Sequence, residues 1–122
     1  MINHESAENY LETILVLNKR LRHVRSIDIA NELSYSKPSV SVAMKNLRTR
    51  EYITVSEEGY IELTATGREL AETVYERHTL IHDWLVALGV PDEIAAEDAC
   101  KIEHDISDEC FEAIMRHILI HR

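Results

Sequence analysis

Apolar positions recur along most of this chain at helical spacing, and alternate with polar ones in only one short stretch. Tyr10, Leu11, Ile14, Leu15 and Val16 form a stripe on a first helix, which Ser6 can cap, with Glu8 in its first turn and Leu21 near its end. Ser26 is expected to cap a second, short helix over 27–33, and Ser34-Tyr35-Ser36 breaks it. Ser36 caps a third helix with Pro38 in its first turn, running to about Arg50, and Val40, Met44 and Leu47 recur on its core face. Two short helices joined by about three residues make a helix-turn-helix. Residues 51–55 and 60–63 are rich in β-formers around Ser56-Glu57-Glu58-Gly59, which spells a hairpin. A helix-turn-helix followed by a hairpin is a winged helix.

From Thr64 or Thr66 a long helix carries Leu70, Val74, Ile81, Leu85 and Leu88 to a stop at Gly89, ahead of Pro91. A helix from about Asp92 to Ile106 follows, and Ser107 opens a last one through Phe111, Ile114, Met115, Ile118 and Leu119. Three amphipathic helices in so short a segment cannot bury their own stripes. The simplest partner is a second copy, a homodimer.

Net charge changes this picture only once it is mapped. The total of −9 argues against nucleic acid, yet residues 19–50 carry eight Lys and Arg against Asp28 and Glu32, while residues 76–122 carry four against eleven acids. A basic segment beside an acidic one suggests a phosphate-binding surface joined to a cation-binding or assembly module. On the third helix, Ser36, Lys37, Pro38, Ser39 and Ser41 are placed to meet a major groove, with Val42, Lys45 and Arg48 on faces turned from the core. No Arg stands in that first turn, so DNA shape and half-site spacing are expected to add to base readout. The acidic wing tip, Glu57 and Glu58, is not expected to press deeply against phosphates. Two cysteines make no disulfide framework, no run is long enough to span a membrane, and the first residues lack the pattern of a signal peptide, so a cytoplasmic protein is expected.

The chemistry concentrates in Cys100-Lys101-Ile102-Glu103-His104. At about 100° per residue, Glu103 and His104 fall within about 60° of Cys100, away from the sector of Ala95, Ala99, Ile102 and Ile106. A thiol, a carboxylate and an imidazole on one sector are metal donors, and His78 with His82 repeats the theme at i, i+4 on the preceding helix. Two rivals stand beside a metal site: a winged-helix regulator sensing a small organic ligand without metal, and a hydrolytic zinc enzyme. No supporting base or Gly-rich substrate loop accompanies the cluster, so an enzyme is not expected.

Taken together, the helix-turn-helix with Ser-Lys-Pro-Ser-Val-Ser, the wing, Tyr75-Glu76-Arg77-His78 and Cys100-Lys101-Ile102-Glu103-His104-Asp105-Ile106-Ser107 resemble the diphtheria-toxin-repressor family. Those proteins are iron- or manganese-dependent transcriptional repressors. The resemblance implies a mainly α fold with a small β-hairpin: a winged helix-turn-helix DNA-binding domain over 1–65, then an all-helical dimerisation and metal-binding domain over 66–122. It implies a homodimer that binds palindromic double-stranded operator DNA when loaded with Mn(II) or Fe(II), and so controls metal homeostasis. The implied metal site is Glu12, His78, Cys100, Glu103 and His104, with the Asn9 position and, through its spacing, His82. Zn(II), Ni(II) or Co(II) are expected to substitute in vitro. Glu12 matches the manganese branch and Cys100 the iron branch. Asn9 replaces the carboxylate of the first and the Met of the second; His82 and Ala96 depart from an acid and a His of the iron branch, which bears on a second metal site. By this resemblance the chain is expected to be the two-domain form that lacks an SH3-like domain.

Overall fold

The computed structural model describes the backbone of residues 4–121 and the side chains of 7–121 other than that of residue 104. The described residues form α1 (His4–Arg20), α2 (Ser26–Leu33), α3 (Lys37–Thr49), β1 (Ile53–Val55), β2 (Ile61–Leu63), α4 (Ala65–Ala87), α5 (Asp92–Asp105) and α6 (Asp108–Ile120). They are a winged helix followed by helices alone. The chain divides into two compact units, one running to Thr73 and the other starting at Val74, inside α4.

The first unit packs α1, α2, α3 and the hairpin around one core. Leu11 and Ile14 of α1, Ile29 of α2, Val40 and Leu47 of α3, and Ile53 and Ile61 of the strands are almost completely removed from water. α1 starts at His4, so Ser6 lies within its first turn instead of ahead of it; the Ser6 side chain is outside the described residues. α2 starts one residue earlier than expected. Arg25, not Ser26, is its N-cap, and its backbone N–H donates to Asp28 Oδ2 at 2.9 Å. Ser34 ends α2 in the left-handed conformation, at φ 58°. Ser36 does cap α3, its hydroxyl accepting from the Ser39 N–H.

The strands are shorter than the β-rich runs. Glu51 turns left-handed at φ 63°, and the N–H groups of Glu51 and Tyr52 donate to Arg48 and Leu47 carbonyls, which closes the end of α3 and takes both residues out of the strand. β1 and β2 pair antiparallel with Thr54 opposite Glu62, and Val24 bridges to Ile61 on the other edge. The wing therefore has a third short rail.

In the second unit Ile81, Ala99, Phe111 and Ile118 form the core, with Trp84, Leu85, Ile102, Ile106, Ile114 and Met115 packed around it. Gly89, at φ 104°, turns the chain out of α4, where a Cβ would be strained. Ser107 caps α6 by accepting from the Cys110 N–H at 3.1 Å. Leu88, Leu119 and Ile120 remain more than half exposed.

Candidate metal centre and DNA-reading surface

α5 and α4 together build the chemical centre of the second unit. The Glu103 side chain is only 4% exposed, and its Oε2 meets Nε2 of His78, whose side chain is 16% exposed. The other carboxylate oxygen, Oε1, is buried without a hydrogen-bond donor among the described residues. Burying a carboxylate with one oxygen unmatched is costly, and a cation at that oxygen would offset the cost. Cys100, one turn earlier on α5, is half-buried with a free thiol. The His104 side chain lies outside the described residues. Among the described residues no three His, Cys, Asp or Glu side chains converge on one point, so His78 and Glu103 are the pair that the structure brings together. An imidazole nitrogen, a carboxylate with an unmatched oxygen and a neighbouring thiol fit a divalent cation by their chemistry.

His82 does not join that pair, although its spacing from His78 suggested it. Its Nδ1 lies 3.0 Å from Asp83 Oδ1 and its Nε2 2.8 Å from Asp92 Oδ1, so both ring nitrogens face carboxylates. Its pKa is raised, first by the hydrogen bond with Asp83 and then by that with Asp92. Both ring nitrogens are thus engaged by carboxylates in this arrangement. Asp92 escaped the sequence reading because it lies ten residues away, beyond the Gly89 turn.

In the first unit, Asn9 and Glu12 are half-buried on α1. Asn9 lines an open cavity of about 470 Å³ with Tyr10, Ser34, Tyr35, Ser36 and Ser39. Within it the Tyr35 ring stands edge-on to Tyr10, whose hydroxyl pKa is raised by burial and by Tyr35. Ser36, Lys37, Pro38, Ser39, Ser41, Val42, Lys45 and Arg48 are all exposed along α3, Val42 at 62%. The Ser36 and Ser39 hydroxyls bond to each other at 2.8 Å, which fixes the first turn.

Residues 4–61 match the model of the iron dependent repressor N-terminal DNA binding domain, and residues 64–119 that of the iron dependent repressor metal binding and dimerisation domain. The chain belongs to the iron-dependent repressor family. The transcriptional regulator MntR of Escherichia coli is 36% identical over 109 residues, which are 89% of this chain and 70% of that one. The diphtheria toxin repressor of Corynebacterium jeikeium is 33% identical over 106 residues, 86% of this chain and 44% of that one. Among solved structures, that of the manganese regulator SloR superimposes with a TM-score of 0.76 at 29% identity, over 92% of this chain and 53% of that one. This chain thus spans about half the length of that solved structure. Its relatives are transcriptional repressors and not enzymes, which removes the hydrolytic reading of the Cys/Glu/His cluster. No helix among the described residues is long and apolar enough to cross a membrane.

Proposed function

We propose that this chain is a cytoplasmic metal-dependent repressor that binds palindromic operator DNA as a homodimer when loaded with Mn(II) or Fe(II), and so regulates metal homeostasis. The observation that carries this reading is the buried Glu103 carboxylate, matched by His78 on one oxygen and by no donor among the described residues on the other, in a chain whose halves match a DNA-binding and a metal-binding domain. The ligand set we assign is His78, Cys100, Glu103 and His104, with Glu12 and Asn9 from α1. His82 enters only if Asp83 and Asp92 release it. A bound divalent cation supplies positive charge and directional coordination. His78 offers a ring nitrogen to it, Glu103 and Glu12 offer carboxylate oxygens, and Cys100 offers its sulfur as thiolate, losing a proton on binding. Donors on α1 and on α4 and α5 bound to one ion would favour the arrangement of recognition helices that binds DNA, by the difference in affinity between arrangements. Two α3 helices would then read half-sites about 34 Å apart or a multiple of it. The exposed Leu88, Leu119 and Ile120 support a second copy on the helical unit.

The test is fluorescence anisotropy of a palindromic duplex at fixed salt across a Mn(II), Fe(II) and Zn(II) series with a chelated control. Tight binding with metal and weak binding with chelator are expected. Affinity that chelation leaves unchanged overturns the reading. A regulator of organic-ligand type is separated by melting: one equivalent of metal should raise the Tm of the wild type and not that of Cys100→Ala.

A further inference from the structure

The outer face of the wing carries a cluster that the DNA-reading surface above does not use. Val24 and Ile61 are each 1% exposed and bridged, the Ile61 N–H donating to the Val24 carbonyl at 2.7 Å. Alternation along both rails then turns His23 and Arg25 outward on one side and Tyr60 outward on the other. The His23 and Tyr60 rings stack with centroids 4.0 Å apart and planes 4° from parallel, and the Arg25 Cζ lies 4.8 Å from the Tyr60 centroid. A guanidinium laid against a ring has lost much of its rotamer freedom while it still presents planar N–H donors.

Arg20 is tied to Glu32 at 2.9 Å, whereas no carboxylate among the described residues lies within ion-pair distance of the Arg25 guanidinium. Asp28, the nearest acid in sequence, is engaged by the Arg25 backbone N–H. Ser26, the next residue, shares a small hollow of about 200 Å³ with Ile27 and with Lys37 and Ser41 of α3. Lys37, Ser41, Ser26 and Arg25 thus make a run of donors from the first turns of α3 to the base of the wing. Such a run of cations and hydroxyls suits a phosphodiester backbone. Against it stands Glu58 at the wing tip. Its carboxyl is held below the usual range by its own backbone N–H, then by the Ser56 hydroxyl, with the charges of Arg25 and His23 adding to this.

We infer that Arg25, braced with His23 on the Tyr60 ring, is a contact to the phosphate backbone of duplex DNA that extends the α3 surface to the base of the wing. This rests on the DNA-binding reading given above. Arg25 positions the duplex and reads no base.

The experiment is anisotropy of the full chain, saturated with Mn(II), on a mixed-sequence duplex of about 30 base pairs over a KCl series. Arg25→Gln should weaken binding several-fold and reduce the slope of log affinity against log salt by about one for each protomer on the duplex. Arg25→Lys should keep the slope and lose part of the affinity, since the charge stays while the planar stack goes. Circular dichroism melts establish that each variant is folded. A folded Arg25→Gln with wild-type affinity and slope overturns the contact. A wild type that fails to bind any duplex, with metal or without, overturns the DNA-binding reading itself.

Discussion

The Glu103 side chain is 4% exposed, and among the described residues only one of its carboxylate oxygens is met, by His78. Glu103→Gln removes the charge and keeps the shape. Without metal the variant should melt at or above the wild-type Tm, because an incompletely matched buried charge is gone. With Mn(II) present at about 100 times its Kd, the wild type should gain about 2.7 kcal/mol and a rise of several degrees in Tm, and Glu103→Gln should gain almost none. A variant that retains the full Mn(II)-induced rise in a calorimetric melt shows that Glu103 is not a ligand. Gly67 makes the opposite kind of demand, steric and independent of metal. A Cβ there would lie 2.0 Å from the Tyr52 carbonyl oxygen, which also accepts the Thr64 N–H and so cannot move away freely. Gly67→Ala should cost about 3 kcal/mol or more in urea unfolding, at the top of the range for overpacked sites.

Helix ends show how far the elements could be read in advance. Ser36 and Ser107 were legible as caps because each hydroxyl serves the N–H three residues on, a purely local bond. Ser107→Ala should lower stability by about 1 kcal/mol, read from the shift in a denaturant midpoint, and Ser107→Gly by much less. Ser26 misled because the neighbouring Arg25 N–H pairs with Asp28, so that the helix begins one residue earlier than the hydroxyl suggests. Glu51 and Tyr52 read as strand from their side chains, yet their N–H groups finish α3. The periodicity of α5 showed which residues share a sector, and Ala95 and Ala99 are indeed the buried ones. Periodicity could not say that Asp92 would reach His82 from across a turn, since that contact depends on the path after Gly89. The link between α4 and α5 is therefore expected to depend on pH. The folded-state pKa of His82 is raised, so its stabilisation is full below the ordinary histidine pKa of about 6.5 and is lost as pH rises through the raised value. NMR titration should find His82 above that ordinary value, and Asp92→Asn should bring it down. An unshifted His82 would show that the clasp does not form in solution.

At the level of the whole chain, the basic excess of residues 19–50 and the acidic excess of residues 76–122 give an added cation two effects. It satisfies donors, and it offsets negative charge that would otherwise oppose a polyanion. The first effect depends on which donors are present, and here the assigned set is mixed. Carboxylate oxygens such as those of Glu12 and Glu103 suit Mn(II), whereas the Cys100 thiolate favours softer ions and raises affinity in the order Mn(II), Fe(II), then the later metals. Glu12→Gln should therefore weaken Mn(II)-activated DNA binding more than Fe(II)-activated binding, and Cys100→Ala should do the reverse. Both variants are to be titrated with each ion anaerobically, on one duplex at one salt concentration, so that the cation's charge and the counterion release are the same in every arm. Only the donor chemistry then differs. If both substitutions weaken activation by the two ions in equal proportion, ligand softness does not discriminate between them, and selectivity must come from the rigidity of the site or from metal supply.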